Sequence, residues 1–122
     1  MYGAILGDII GSPFEFDRGN KTKEFDLFTK GCDFTDDSVM TIAVGEALLA
    51  VGTEATVKEI EEALVTNMQD WGKRYPYAGY GGRFRYWLRE SNPKPYGSYG
   101  NGAAMRVSAA GWLYDSLERT RE

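Results

Sequence analysis

The chain has 122 residues, 43% hydrophobic and 26% charged, the make-up of one soluble globular domain or part of one. A net charge of −4 with no basic cluster argues against nucleic acid or an anionic membrane as the main partner. With no histidine anywhere, a Ser-His-Asp triad, a His-ligated zinc and an imidazole base are all excluded.

The start, MYGAILGDIIGSPFEF, lacks a positive leading region and carries Asp8, so it is not expected to be a signal peptide. Gly3–Ile10 is apolar on most sides and predicts a short buried helix, ended by Gly11, Ser12 and Pro13. Asp8, set in that apolar run, is expected to bond nearby backbone or the next loop. The polar segment from Arg18 to Asp33 reads as a surface loop. The single cysteine, Cys32, permits no intramolecular disulfide and points to a reducing cytoplasm. It is expected to act as a small, half-buried apolar residue, since no histidine is present to activate it.

A buried helix is expected from about Asp37 to Val51, stopping at Gly52, because Val39–Val51 carries Glu46 as its one charge. Thr56 and Glu59 form a capping box. Behind it Val57, Ile60, Leu64, Met68 and Trp71 recur at helical spacing, predicting an amphipathic helix to about Lys73. Arg83 to Leu88 suggests a short helix amid loop, and Asn92–Pro95 a turn. From Gly102 an apolar-rich helix is expected to run to the C-terminus. No alternating strand pattern occurs, so the class is all-α, a helical bundle. No apolar run approaches transmembrane length.

Three patterns carry chemistry. In Phe34-Thr35-Asp36-Asp37-Ser38 two carboxylates and a hydroxyl stand at the mouth of the buried helix. Thr35 and the acids suit a helix cap and its dipole. They equally suit a hard divalent cation, which takes carboxylate and hydroxyl oxygens and offsets the cost of burying two anions. In Gly97-Ser98-Tyr99-Gly100-Asn101-Gly102 a glycine-rich loop leads into a helix N-terminus. It is either an ordinary turn-rich loop or a nest of amides for phosphate oxygens, with Ser98, Tyr99 and Asn101 as added donors. Glu15, between Phe14 and Phe16, is either an exposed loop acid or a carboxyl whose pKa is raised by apolar surroundings for acid/base work. The combination suits a phosphorylated sugar whose hydroxyls meet a metal.

The order GAILGDIIGSPFEF, FTDDSVM, GSYGNGAAMRV resembles the ADP-ribosylglycohydrolase family, closest to the branch with the Ser-Tyr-Gly-Asn-Gly loop. The resemblance implies an all-α bundle with a binuclear Mg²⁺ site (Mn²⁺ in some members) that removes ADP-ribose from modified side chains or related conjugates. It implies that Thr35, Asp36 and Asp37 are metal ligands. Glu15 matches a glutamate near the metals, implicated in gating or acid/base work, and Glu15 and Asp36 are the expected catalytic carboxylates. Gly97, Ser98, Tyr99, Gly100, Asn101 and Gly102 would hold the diphosphate and ribose of ADP-ribose. Metal ions would bind the ribose diol beside the scissile bond while a carboxylate activates water.

Family members also carry a His-x-His-Pro-type segment and a later Asp-x-Asp-Thr run that completes the metal site. Neither occurs in these 122 residues. The chain is therefore expected to be the N-terminal part of an incomplete bundle. Apolar faces near Val39–Val51 and Ala103–Leu117 should be exposed, to be covered by a complementary fragment or by self-association. The rival expectations are a non-catalytic ADP-ribose or nucleotide binder or self-associating remnant, and a small helical interaction module in which Thr35 and the aspartates only cap a helix.

Overall fold

The computed structural model describes residues 1–17, 19 and 21–122 and is all-α, with no strand among the described residues. Of the loop expected over 18–33, Arg18 and Asn20 lie outside the described residues. The rest of that loop is irregular and mostly exposed.

Helix α1 spans Tyr2–Gly11, and a 3-10 turn, Ser12–Phe14, follows with Pro13 in its first turn. The expectation that α1 is buried is corrected. It buries no residue, and Tyr2 and Leu6 are exposed. One side of α1 rests on the next helix and nothing in the described chain covers the other. Apolar composition creates a demand for cover, but only tertiary packing meets it.

Helix α2, Asp36–Val51, is the centre of the molecule. Thr35 caps it, its Oγ1 accepting from the Asp37 N–H at 3.3 Å, and Gly52 ends it at φ +79°, a conformation glycine adopts without steric cost. Residues from Ser38 to Leu48 are largely buried. The lone charge Glu46 escapes burial and becomes a clip: its Oε2 accepts from Trp71 Nε1–H at 2.6 Å and from Asn67 Nδ2–H at 3.0 Å.

Helix α3, Val57–Arg74, packs along α2 and starts with the expected capping box: Glu59 N–H donates to Thr56 Oγ1 and Thr56 N–H to Glu59 Oε2. Ile60, Leu64, Val65, Met68 and Trp71 turn toward α2. Gly72 is buried because Leu88 lies on it: a Cβ there would come within 2.8 Å of both Leu88 methyls. Leu88 follows α4, Gly82–Trp87, and joins Val39, Met40, Tyr80 and Trp87 in one core cluster. Val44, Leu48 and Ala109 form a second.

The single C-terminal helix expected from Gly102 is corrected to three short ones: α5 Gly102–Met105, α6 Ser108–Leu113 and α7 Leu117–Arg121. Polar contacts flank the breaks. Thr41 Oγ1–H on α2 donates to the Met105 carbonyl at 3.1 Å, where α5 ends. Ser116 recaps the chain, accepting from the Arg119 N–H at 3.1 Å, and Arg119 donates back to the Ala55 carbonyl. No helix among the described residues is long and apolar enough to cross a membrane.

Candidate functional site

The N-terminus of α2 is assembled around Asp8. Its carboxylate accepts from Thr35 N–H at 2.8 Å, Thr35 Oγ1–H at 2.6 Å, Ser38 N–H at 3.1 Å and Ser38 Oγ–H at 2.6 Å. Asp8, expected to bond nearby backbone or the next loop, bonds instead the cap and first turn of α2, and so serves the candidate site rather than α1. Thr35 Oγ1 also lies 3.3 Å from Asp37 Oδ2, so the Asp8 and Asp37 carboxylates compete for its one hydrogen.

Asp36 and Asp37 stand half-buried in the first turn of α2, and among the described residues no cation lies within ion-pair distance of either. Burial, then the charges of Asp37 and Glu15, push Asp36 up to about 6. Asp37 is raised by burial and by Asp8, against the hydrogen bond from Thr35 and the backbone. Glu15 is raised too, by desolvation first and then by Asp37 and Asp8. Of the two settings expected for Glu15, an exposed loop acid or an apolar one, the exposed one is found. The residue is exposed, as is Phe16, and Phe14 turns away to pack on Phe25 with ring centroids 5.1 Å apart. The neighbouring acids add to the rise in place of the phenylalanines.

Asp8, Glu15, Asp36 and Asp37 thus share one electrostatic neighbourhood, which sequence patterns suggested for three of them. The donor set of carboxylates and a threonine hydroxyl, mutually repelling and without a counter-cation among the described residues, fits a hard divalent ion. No three of the carboxylates among the described residues converge on a common point, so water or further ligands would fill the remaining positions.

Asp36 also borders a cleft of about 600 Å³ between α2, α4 and the glycine loop, lined by Phe84, Tyr96, Ser98, Asn101, Gly102 and Arg106 among others. The structure thereby brings Asp36, Ser98, Gly100, Asn101 and Gly102 to one cavity. Gly97 lies behind it, its carbonyl accepting from Arg83 Nη1–H at 2.9 Å, and Tyr99 is fully exposed to solvent. Ser98 Oγ accepts from the Gly100 N–H at 3.1 Å, closing the loop on itself.

The helix expected to lend its dipole to this loop is α5, only four residues long. The macrodipole needs aligned peptides over several turns, so α5 supplies little positive potential. Arg83 and Arg106 supply it instead. Arg83 lies over the Tyr96 ring at 4.7 Å and Arg106 over Phe84 at 4.6 Å.

Sequence patterns single out neither arginine, nor Gly79 and Tyr80. Gly79 adopts φ +104° beside Asp36, whose Oδ1 would be 3.6 Å from an added Cβ. Tyr80 buries a hydroxyl that has no hydrogen-bond partner among the described residues, and burial followed by the nearby Asp36 charge pushes it up to about 12. The aromatic-rich segment signals function for these residues only in general terms, since its local pattern specifies no partner.

A protein-family model described as ADP-ribosylglycohydrolase matches residues 1–122. Among curated proteins, the ADP-ribosylhydrolase ARH3 of Xenopus tropicalis is 30% identical over 142 residues, covering 96% of this chain and 39% of that relative. The chain thus spans about two-fifths of the length of the relative it matches. No solved structure matches it at comparable significance.

Proposed function

Because the chain belongs to the ADP-ribosylglycohydrolase family, we propose that its cleft binds ADP-ribose or an ADP-ribosylated protein and carries the N-terminal half of a metal-assisted hydrolytic site. The observation that carries this reading is the position of Asp36. It belongs to the acid cluster and at the same time borders the cleft that the glycine loop closes.

Thr35, Asp36 and Asp37 would hold Mg²⁺ or Mn²⁺, which on binding would polarise sugar hydroxyls and water. Glu15 and Asp36 are the acid/base groups. One carboxylate would take a proton from water as the water oxygen bonds to the anomeric carbon, and the bond to the leaving group breaks, the leaving atom keeping the electron pair and taking a proton from the other carboxyl. Without metal Asp36 has a pKa of about 6, and a bound cation would lower it. Ser98, Gly100, Asn101 and Gly102, which line the cleft, would offer amides and side chains to the diphosphate and ribose, with Gly97 and Tyr99 completing the loop outside the lining.

A second reading, a non-catalytic ADP-ribose binder, is favoured by the lack of any three convergent carboxylates among the described residues. Either form would gain from a complementary fragment or a second copy. Leu49, Val107, Trp112 and Leu117 are exposed, and an apolar groove of about 290 Å³ runs past Leu48, Ile60, Leu64 and Ala110. The exposed apolar surface on α2 is thus narrower than expected, since Val39–Leu48 is mostly covered. The lone Cys32, half-buried, accords with a cytoplasmic setting.

Calorimetry and thermal shift with Mg²⁺ and with ADP-ribose test the site. Binding of both is expected, and no response to either removes both site assignments. Incubation with ADP-ribosylated serine or arginine peptide then separates enzyme from binder. Release that survives Asp36→Ala combined with Asp37→Ala would show the metal assignment to be wrong.

A further inference from the structure

The cleft has an acid end at Asp36 and a basic end at Arg83 and Arg106, and the two arginines are not equivalent. Arg83 is exposed and employed, its Nη1 holding the Gly97 carbonyl and its guanidinium covering Tyr96. Arg106 is half-buried against Phe84. Its Nε donates to the Gly102 carbonyl and its Nη1 reaches only the sulfur of Met68, a weak acceptor, at 3.2 Å. Its Nη2 makes no hydrogen bond among the described residues, and no carboxylate lies within ion-pair distance of it.

A guanidinium stays protonated, so its partial burial against Phe84 and Met68 leaves a positive charge without an ion-pair partner among the described residues, the Asp36 charge acting on it only from beyond that distance. Desolvation lowers the Arg106 pKa in keeping with that cost. Gly102 is fitted to the same group: a Cβ there would come within 2.8 Å of Nη2. The absent side chain lets the guanidinium lie flat beneath the glycine loop.

We infer that Arg106 is the cation that receives the phosphate oxygens of the cleft's ligand, the free donors of its guanidinium forming the floor of a diphosphate site whose rim is the loop at Gly97–Gly102. The anion would supply the counter-charge that the protein withholds, and a planar fork suits phosphate geometry better than a point charge. The ligand's orientation follows, with the diphosphate at Arg106 and the reacting sugar toward Asp36. This rests on the ADP-ribose reading for the ligand's name, but not for the anion site itself.

The test uses the full chain, with three probes read by calorimetry: ADP-ribose, adenosine and inorganic pyrophosphate. Arg106→Gln should weaken ADP-ribose and pyrophosphate about 10- to 100-fold, the loss of a charge-assisted hydrogen bond, and leave adenosine unchanged. Equal pyrophosphate affinity in the variant and the original chain overturns the inference. If the original chain binds pyrophosphate but not ADP-ribose, and Arg106→Gln abolishes that binding, the anion site stands and the ADP-ribose reading falls. Should Arg106→Gln fail to fold, as judged by circular dichroism, Arg106→Lys keeps stem and charge but loses the fork. A several-fold loss confined to the phosphorylated probes supports the inference, and unchanged affinity for them overturns it.

Discussion

Asp8 holds Thr35 by two hydrogen bonds at once, accepting from its N–H at 2.8 Å and its Oγ1–H at 2.6 Å. The same carboxylate reaches Ser38, so one side chain of α1 sets the first turn of α2 and the acids it carries. Because α1 buries no residue, this polar tether is a main tie between α1 and the rest of the fold. Asp8→Ala should therefore cost about 2–3 kcal/mol, the loss of charge-assisted bonds that leaves Thr35 and Ser38 donors unpaired. Urea denaturation reads this, and a loss under about 1 kcal/mol, within the range of an ordinary surface change, would contradict it.

Asp36 makes stability depend on pH in a direction opposite to the usual carboxylate. Its native pKa, raised from 3.8 to about 6, means that the folded state binds a proton that the unfolded state has released. The contribution of Asp36 to stability is therefore greatest at or below pH 3.8 and is lost as pH rises from there to about 6. A rise of that size corresponds to about 3 kcal/mol without solvent screening, and half-exposure reduces this to about 1 kcal/mol. Asp36→Asn should flatten that slope and stabilise the chain near pH 7 without added metal. Chemical denaturation across pH 4–7 measures both effects, and an unchanged slope in the variant would refute the assignment.

Glu46 joins α2 to α3 through Trp71 and Asn67. Glu46→Ala should cost about 1–2 kcal/mol, since two donors lose a charged acceptor at a partly open site. Glu46→Gln, which keeps an oxygen for one of them, should recover part of that. Thermal melts of the pair test the clip, and equal melting of Glu46→Ala and the original chain would dismiss it.

Gly72→Ala should destabilise by about 1–3 kcal/mol, because the Cβ would overlap both Leu88 methyls at 2.8 Å and push Leu88 out of the core. Leu88→Ala in the same chain relieves the overlap. The double variant should then be less destabilised than the sum of the single ones, a coupling that a double-mutant cycle measures.

Much of the scaffold is legible in the residues. Alternation of apolar and charged positions marks α3, and Thr56 with Glu59 marks its start, because helical spacing and capping are local properties of the chain. The low charge of Val39–Val51 announces a buried helix and Gly52 its end. The C-terminal segment departs from the single helix its apolar run suggests, and its first break lies where Thr41, far away in sequence, bonds the Met105 carbonyl. Ser116 does offer a local sign, a capping serine before Leu117, which the apolar run obscures.

The sequence by itself determined the all-α class, the order of the three motifs and, through them, the family. These depend on residue type and spacing along the chain. Tertiary structure decided which charges meet. It made Asp8 the support of Thr35, gathered Glu15 with Asp36 and Asp37, and replaced a helix dipole at the glycine loop by the guanidinium of Arg106. Electrostatic and hydrogen-bond energies fall off with distance through space, and no local pattern encodes the approach of residues far apart in the chain.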